Sequence, residues 1–160
     1  YYANIINLYS PMANRKVKEV IGMNLPIKMI CPSHGVMWKE NPMQIVEKYL
    51  AWSSDYKENQ ITIVYDTMWQ STRKMAEAIT EGILAEDNTV TVKLFNVAKE
   101  DKNDILTEMF QSKAVLVGSP TINYGYSYAI AGILEMARGL KFKNKKVKIS
   151  WLISKIFLTL

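Results

Sequence analysis

The chain has 160 residues, 49% of them apolar and 22% charged, a composition that excludes disordered, collagen-like and disulfide-stapled classes. Its single cysteine, Cys31, allows no internal disulfide, which suits a reducing, cytoplasmic compartment. The net charge of +5 is local, because six of the twenty basic residues (Arg138, Lys141, Lys143, Lys145, Lys146 and Lys148) fall in one short run without an acid. Such a run reads as a solvated turn, and no nucleic-acid partner is expected.

Tyr1 opens the chain without a signal segment, so it reads as a piece of a longer protein. Tyr1 to Gly22 is mostly helix-compatible. Ile27 to Ile30 reads as a short strand running into Cys31-Pro32-Ser33-His34-Gly35. Asn41 and Pro42 make an N-cap and first-turn pair for a helix to Trp52. The polar segment Ser53 to Asn59 reads as a linker. Two helices and one strand bury little core alone, so this part reads as the tail of a larger domain.

From Ile61 the text alternates. Ile61 to Tyr65 is a β-branched run typical of a buried strand. Arg73 to Leu84 places Met75, Ile79 and Ile83 on one helical face. Thr89 to Phe95 alternates as a half-buried edge strand does. Asp101 to Asp104 opens a helix bearing Ile105, Leu106, Met109 and Phe110. Ala114 to Val117 is apolar throughout and predicts a central strand. Ile130, Ile133, Leu134 and Ala137 follow at helical spacing, with Gly139 placed to end the helix. Val147 to Trp151 predicts a fourth strand. The uncharged stretch from Ala114 to Leu134 is long enough for a membrane span, but its middle, Gly118 to Gly125, is a turn-forming polar segment; no membrane association is expected.

Strands alternating with helices predict an α/β fold, a doubly wound parallel sheet that binds ligands beyond the carboxyl ends of its strands. Two loops therefore carry the functional information. Asp66-Thr67-Met68-Trp69-Gln70-Ser71-Thr72 brings three hydroxyls to a helix N-terminus, where free N–H groups and the helix dipole favour an anion such as phosphate. The plainer alternative is that Ser71 or Thr72 only caps the helix. Gly118 to Gly125 follows the third strand and offers Thr121 and Asn123 to a flat polar ring. No P-loop and no GxGxxG is present.

Ile61 to Trp69, Ser71 to Ala76 and Gly118-Ser119-Pro120-Thr121 closely resemble the flavodoxin-like domain of flavodiiron proteins, the A-type flavoproteins to which the flavorubredoxin nitric oxide reductases belong. Tyr1 to Ile5 and Pro32 to Trp38 resemble the end of that family's metallo-β-lactamase-like domain. The resemblance implies residues 1–39 as that domain's tail, 40–59 as a connecting helix and linker, and 60–160 as a flavodoxin-like FMN-binding domain. It implies a phosphate held by Thr67, Ser71 and Thr72 with the intervening Met68, Trp69 and Gln70. It also implies an isoalloxazine lined by Pro120, Thr121, Ile122 and Asn123 and flanked by Trp69. His34 would be one ligand of a non-haem di-iron centre, although one imidazole cannot hold two ions. Cys31 beside it reads as a small buried apolar residue.

For the intact parent the resemblance implies reduction of NO or O2 at the di-iron site, a donor such as rubredoxin or a reductase, and a head-to-tail homodimer. From about residue 147 the sequence departs from the family. An apolar tail, Ile149 to Leu160, stands where a third flavin loop and further elements are expected. That departure reads as a C-terminal truncation of the kind a frameshift leaves. The alternatives are a stand-alone flavodoxin-type electron carrier and an inactive gene remnant.

Overall fold

In the computed structural model, residues 1–142 and 145–151 are described, the last five by their backbone alone. The chain divides into two units, Tyr1–Tyr56 and Lys57–Leu160. The first unit holds a short 3-10 turn, Ile6–Tyr9, and helices α1, Ser10–Gly22, and α2, Met43–Trp52. Tyr2 is buried between them: its ring meets Tyr49 edge-on at 5.0 Å and Trp52 at 5.2 Å, and its hydroxyl lies 2.8 Å from Ser10 Oγ.

Three expectations for this unit need correction. Ile27 to Ile30 is not a strand, because only Trp38 comes alongside; the two residues form one isolated antiparallel bridge. Asn41 does not cap α2 with its side chain, and the N-cap position falls on Pro42. Cys31 is exposed rather than buried, since the chain turns sharply after the bridge, through Gly35 at φ +102°, and brings no apolar surface over it.

The second unit contains β1 (Glu58–Tyr65), α3 (Ser71–Glu86), β2 (Thr91–Asn96), α4 (Lys102–Gln111), β3 (Ser112–Ser119), α5 (Tyr128–Leu140) and β4 (Lys146–Trp151). The strands pair in parallel in the order β2-β1-β3-β4. The predicted edge and central strands are therefore where they were expected. The apolar residues of the strands alternate between two cores. Ile63 and Tyr65 pack with Ala76 and Ile79 of α3, while Val64, Val115 and Val117 pack with Ile105, Leu106, Ile130 and Ile133 of α4 and α5. Asp101 caps α4 by accepting from the Asn103 amide at 2.7 Å.

Most boundaries shift by a residue or two, and two of the shifts have a clear physical reason. β1 begins at Glu58, inside the expected linker. The buried Gln60 donates to Glu108 Oε2 at 2.8 Å and Ser112 Oγ at 3.1 Å, and Thr62 Oγ1 meets Ser112 Oγ at 2.7 Å. A strand with satisfied buried polar groups has no apolar signature to read. Gly139 does not end α5. The helix continues to Leu140, which is buried in the core, and the left-handed cap falls on Lys141 at φ 51°. Burying a leucine outweighs the roughly 1 kcal/mol cost of a helical glycine. The expectations for 152–160 lie outside the described residues.

Lys145 rests its Nζ 5.6 Å from the centroid of the Phe110 ring. Burial, and then the neighbouring Lys57, lower its pKa to about 8. The unfolded chain keeps that proton up to its ordinary 10.5. Between these values the unfolded state binds more protons, so stability rises with pH across that window. Urea unfolding at about pH 7 and about pH 9.5 is expected to show this rise in the wild type and a smaller one in Lys145→Gln.

Candidate functional site: two loops at the carboxyl ends of β1 and β3

β1 and β3 are central neighbours, and their partners diverge: the chain leaves β1 for β2 on one side and β3 for β4 on the other. The crevice between the two following loops is where such sheets take ligands. The first loop, 66–70, is tied to β3 by the Asp66 amide donating to the Gly118 carbonyl at 3.0 Å. It is tightened by the Thr67 amide donating to Asp66 Oδ1 at 2.8 Å. Gln70 then occupies the N-cap position of α3 in the left-handed region, φ 65°, with no side-chain cap.

The plain capping alternative is therefore not what the structure holds. Neither Ser71 nor Thr72 caps the helix, and the first-turn N–H groups have no intrahelical acceptor. Two threonine hydroxyls in this loop, Thr67 Oγ1 and Thr72 Oγ1, are buried without any hydrogen-bond partner. Leaving a buried hydroxyl unpaired costs about 1–3 kcal/mol. Helix-terminal N–H groups beside unpaired hydroxyls are a donor set for an anion, and the loop's one acid, Asp66, is turned onto the Thr67 amide. The residues present fit a phosphate group.

The second loop is built from serines. Ser119 Oγ accepts from the Ser127 amide at 3.0 Å and donates to the Pro120 carbonyl at 2.8 Å, and Ser127 Oγ caps α5 by accepting from the Ile130 amide at 3.4 Å. Both serines are buried. Between them Ile122 and Gly125 exchange two backbone hydrogen bonds, 2.9 and 2.8 Å, around Asn123 and Tyr124. Both tip residues have positive φ, 49° and 63°, the pattern of a two-residue hairpin turn. An asparagine tolerates that conformation, whereas a tyrosine there is strained.

Among the described residues, three of the five non-glycine residues with positive φ, Gln70, Asn123 and Tyr124, lie on these two loops. Strain concentrated in this way is typical of ligand clamps. Trp69 and Tyr124 stand out from the loops at 85% and 103% exposure. Each presents an uncovered aromatic face.

All ten expected flavin-site residues lie on these two loops or on the first turn of α3, so the structure brings them to one end of the sheet. Sequence reasoning missed Tyr124 and the Ser119–Ser127 pair. The Asn-Tyr-Gly tripeptide signals a turn, but nothing in it signals a left-handed tyrosine. Ser119→Ala would orphan the buried Ser127 amide. It is expected to cost about 1–3 kcal/mol of stability and to loosen the loop, measured by denaturant unfolding.

His34 lies in the first unit, exposed, with its ring stacked on Tyr1 at 5.6 Å. Among the described residues no three His, Cys, Asp or Glu side chains come together. The donor set on the described residues does not fit a di-iron centre. Among the same residues, no helix is long and apolar enough to cross a membrane.

A parallel sheet in the order β2-β1-β3-β4, with an anion cradle at the β1–α3 turn, defines a doubly wound, flavodoxin-like α/β domain. The family model for flavodoxin matches residues 63–155, and the chain belongs to that family. Its relatives are flavodiiron proteins, as the sequence motifs implied. The anaerobic nitric oxide reductase flavorubredoxin of Klebsiella pneumoniae is 55% identical over 146 residues, covering 91% of this chain and 30% of that protein. The protein of the same name from Escherichia coli K12 is 53% identical over the same length.

Among solved structures, rubredoxin oxygen:oxidoreductase from Desulfovibrio gigas matches with a TM-score of 0.86 and 35% identity, over 94% of this chain and 38% of that one. The flavodiiron protein of Giardia intestinalis gives 0.82 and 29%, over 97% and 38%. The chain thus spans about 30% of the length of the curated relatives it matches. It carries a flavodoxin-like FMN domain homologous to theirs.

Proposed function

We propose that this chain contributes the electron-carrying flavin module of a longer flavodiiron oxidoreductase. FMN would be held by its phosphate at Thr67, Ser71, Thr72 and the backbone of Met68, Trp69 and Gln70. Pro120, Thr121, Ile122 and Asn123 would line the ring, and Trp69 would flank it. The pair of buried, unpartnered threonine hydroxyls at a helix N-terminus carries this reading. Bound flavin would supply electron transfer. The chain's own part is to bind the phosphate, orient the ring between the loops and shield it from water on one side.

In the longer protein, residues 1–39 would belong to a metallo-β-lactamase-like domain and His34 would be one of several iron ligands. The reaction there would be reduction of NO or O2, with electrons from a donor such as rubredoxin or a reductase, and the assembly would be a homodimer. The names of the relatives support this, one being a nitric oxide reductase and another an oxygen oxidoreductase. A stand-alone carrier is disfavoured because the 146-residue match is longer than the second unit and extends into the first.

Titration of the chain with FMN and with riboflavin, followed by quenching of flavin fluorescence, tests the reading. FMN is expected to bind the more tightly, through its phosphate; equal affinities would refute the phosphate site. After anaerobic incubation with ferrous iron, the isolated chain is expected to retain fewer than two irons, because His34 has no co-ligands among the described residues. Two tightly held irons per chain would contradict this.

A further inference from the structure

Gly118 is the next-to-last residue of β3 and the last that pairs with β1. It pairs in register with Tyr65 on one side and Ser150 on the other. Its φ lies outside the left-handed region, so its backbone conformation is open to any residue. Space is what demands glycine. A Cβ on residue 118 would stand 3.0 Å from Thr72 Cγ2 and 3.4 Å from Tyr65 Cβ. The second distance is ordinary contact; the first requires the Thr72 methyl group to give by a few tenths of an ångström.

Thr72 and Gly118 both border a cavity of about 220 Å³, lined also by Met75, Ile79 and Leu116, so the Thr72 side chain has space to turn. Thr72 is 1% exposed, in the first turn of α3, and branched at Cβ. Its side chain is confined to staggered wells. Relief comes by rotation about χ1, and that rotation carries Oγ1 along with Cγ2. Oγ1 is one of the two buried hydroxyls without a partner.

We propose that Gly118 is a positioning residue for the phosphate site: the side chain it lacks leaves the space that the Thr72 methyl group fills, and this fixes the direction of the Thr72 hydroxyl. The proposal rests on the phosphate reading above. It assigns a function to a residue that touches no ligand and sits on the strand of the other loop. The two loops of the crevice are thereby coupled through one methyl group.

The test compares FMN and riboflavin affinities of the full chain in four forms: wild type, Gly118→Ala, Thr72→Val, and Gly118→Ala combined with Thr72→Ser. Gly118→Ala is expected to lower FMN affinity about tenfold, the worth of one hydrogen bond to a charged group, and to leave riboflavin affinity unchanged. Thr72→Val, which keeps the branch and loses the hydroxyl, is expected to match it. The double variant is expected to regain FMN affinity, because serine keeps the hydroxyl and lacks the methyl group in conflict.

Gly118→Ala with undiminished preference for FMN overturns the proposal. So does a double variant that recovers nothing, which would mean general damage to β3. Should Gly118→Ala fail to fold, the double variant decides by the same two outcomes. Thr72→Val with full FMN preference overturns the proposal and leaves a phosphate site at Thr67 and Ser71. A wild type that does not distinguish FMN from riboflavin overturns both readings together.

Discussion

Thr67→Ala combined with Ser71→Ala is expected to weaken FMN binding about 100-fold while changing riboflavin binding little. Each hydroxyl would donate to a phosphate oxygen, and a hydrogen bond to a charged group contributes about 1.5–3 kcal/mol. Two such losses amount to about 3 kcal/mol or more, which is about two decades in affinity. Thr67 Oγ1 is buried without a partner in the protein, so its removal leaves no protein group unpaired. The variant is therefore expected to fold at least as well as the wild type. Ligand affinity should fall without a loss of stability, a combination that general damage cannot produce. Flavin fluorescence titration and urea unfolding of the same samples provide both measurements.

Ile130→Ala is expected to be strongly destabilising. Ile130 is fully buried, in the first turns of α5, within the cluster of Val64, Val117, Ile105 and Ile133. Truncating such a side chain costs about 2–5 kcal/mol, the lost transfer energy plus the cavity left behind. Against a domain stability of about 5–15 kcal/mol this is a large fraction. The Ile130 amide also donates to Ser127 Oγ, and Ser127 in turn closes the ring-side loop through Ser119. Loss of packing under α5 should therefore reach the flavin crevice as well as the core. Chemical denaturation is expected to show a lowered midpoint. Riboflavin and FMN affinities should fall in parallel, since the ring side and not the phosphate side is loosened. An unchanged midpoint would mean that α5 does not depend on this contact.

The two predictions separate the ends of one binding site, and they also show where information about it resides. The alternation of strands and helices was open to reading because each buried strand must be apolar and each covering helix must carry a stripe. Ile61 to Tyr65 and Ala114 to Val117 state this directly. The hydroxyl-rich loop was legible for a similar reason: a helix start that offers donors without charge has a short, local signature. The resemblance to flavodiiron proteins is what implies that the two loops serve one flavin.

Other features had no local signature. The start of β1 at Glu58 depends on Gln60 finding Glu108 and Ser112 far along the chain. The failure of Ile27 to Ile30 to form a strand depends on what lies beside it, since a ladder needs a partner. Cys31 is exposed because nothing packs over it.

The sequence by itself determined the parallel α/β class, the order of elements and the two loops of the candidate crevice, because burial pattern and turn chemistry are written within a few residues. Only the tertiary structure decided that neither Ser71 nor Thr72 spends its hydroxyl on a cap, that Asn123 and Tyr124 are held with positive φ, and that a Cβ on residue 118 would crowd the Thr72 methyl group. Those outcomes turn on distances between atoms dozens of residues apart, and such distances exist only once the sheet has closed against its helices.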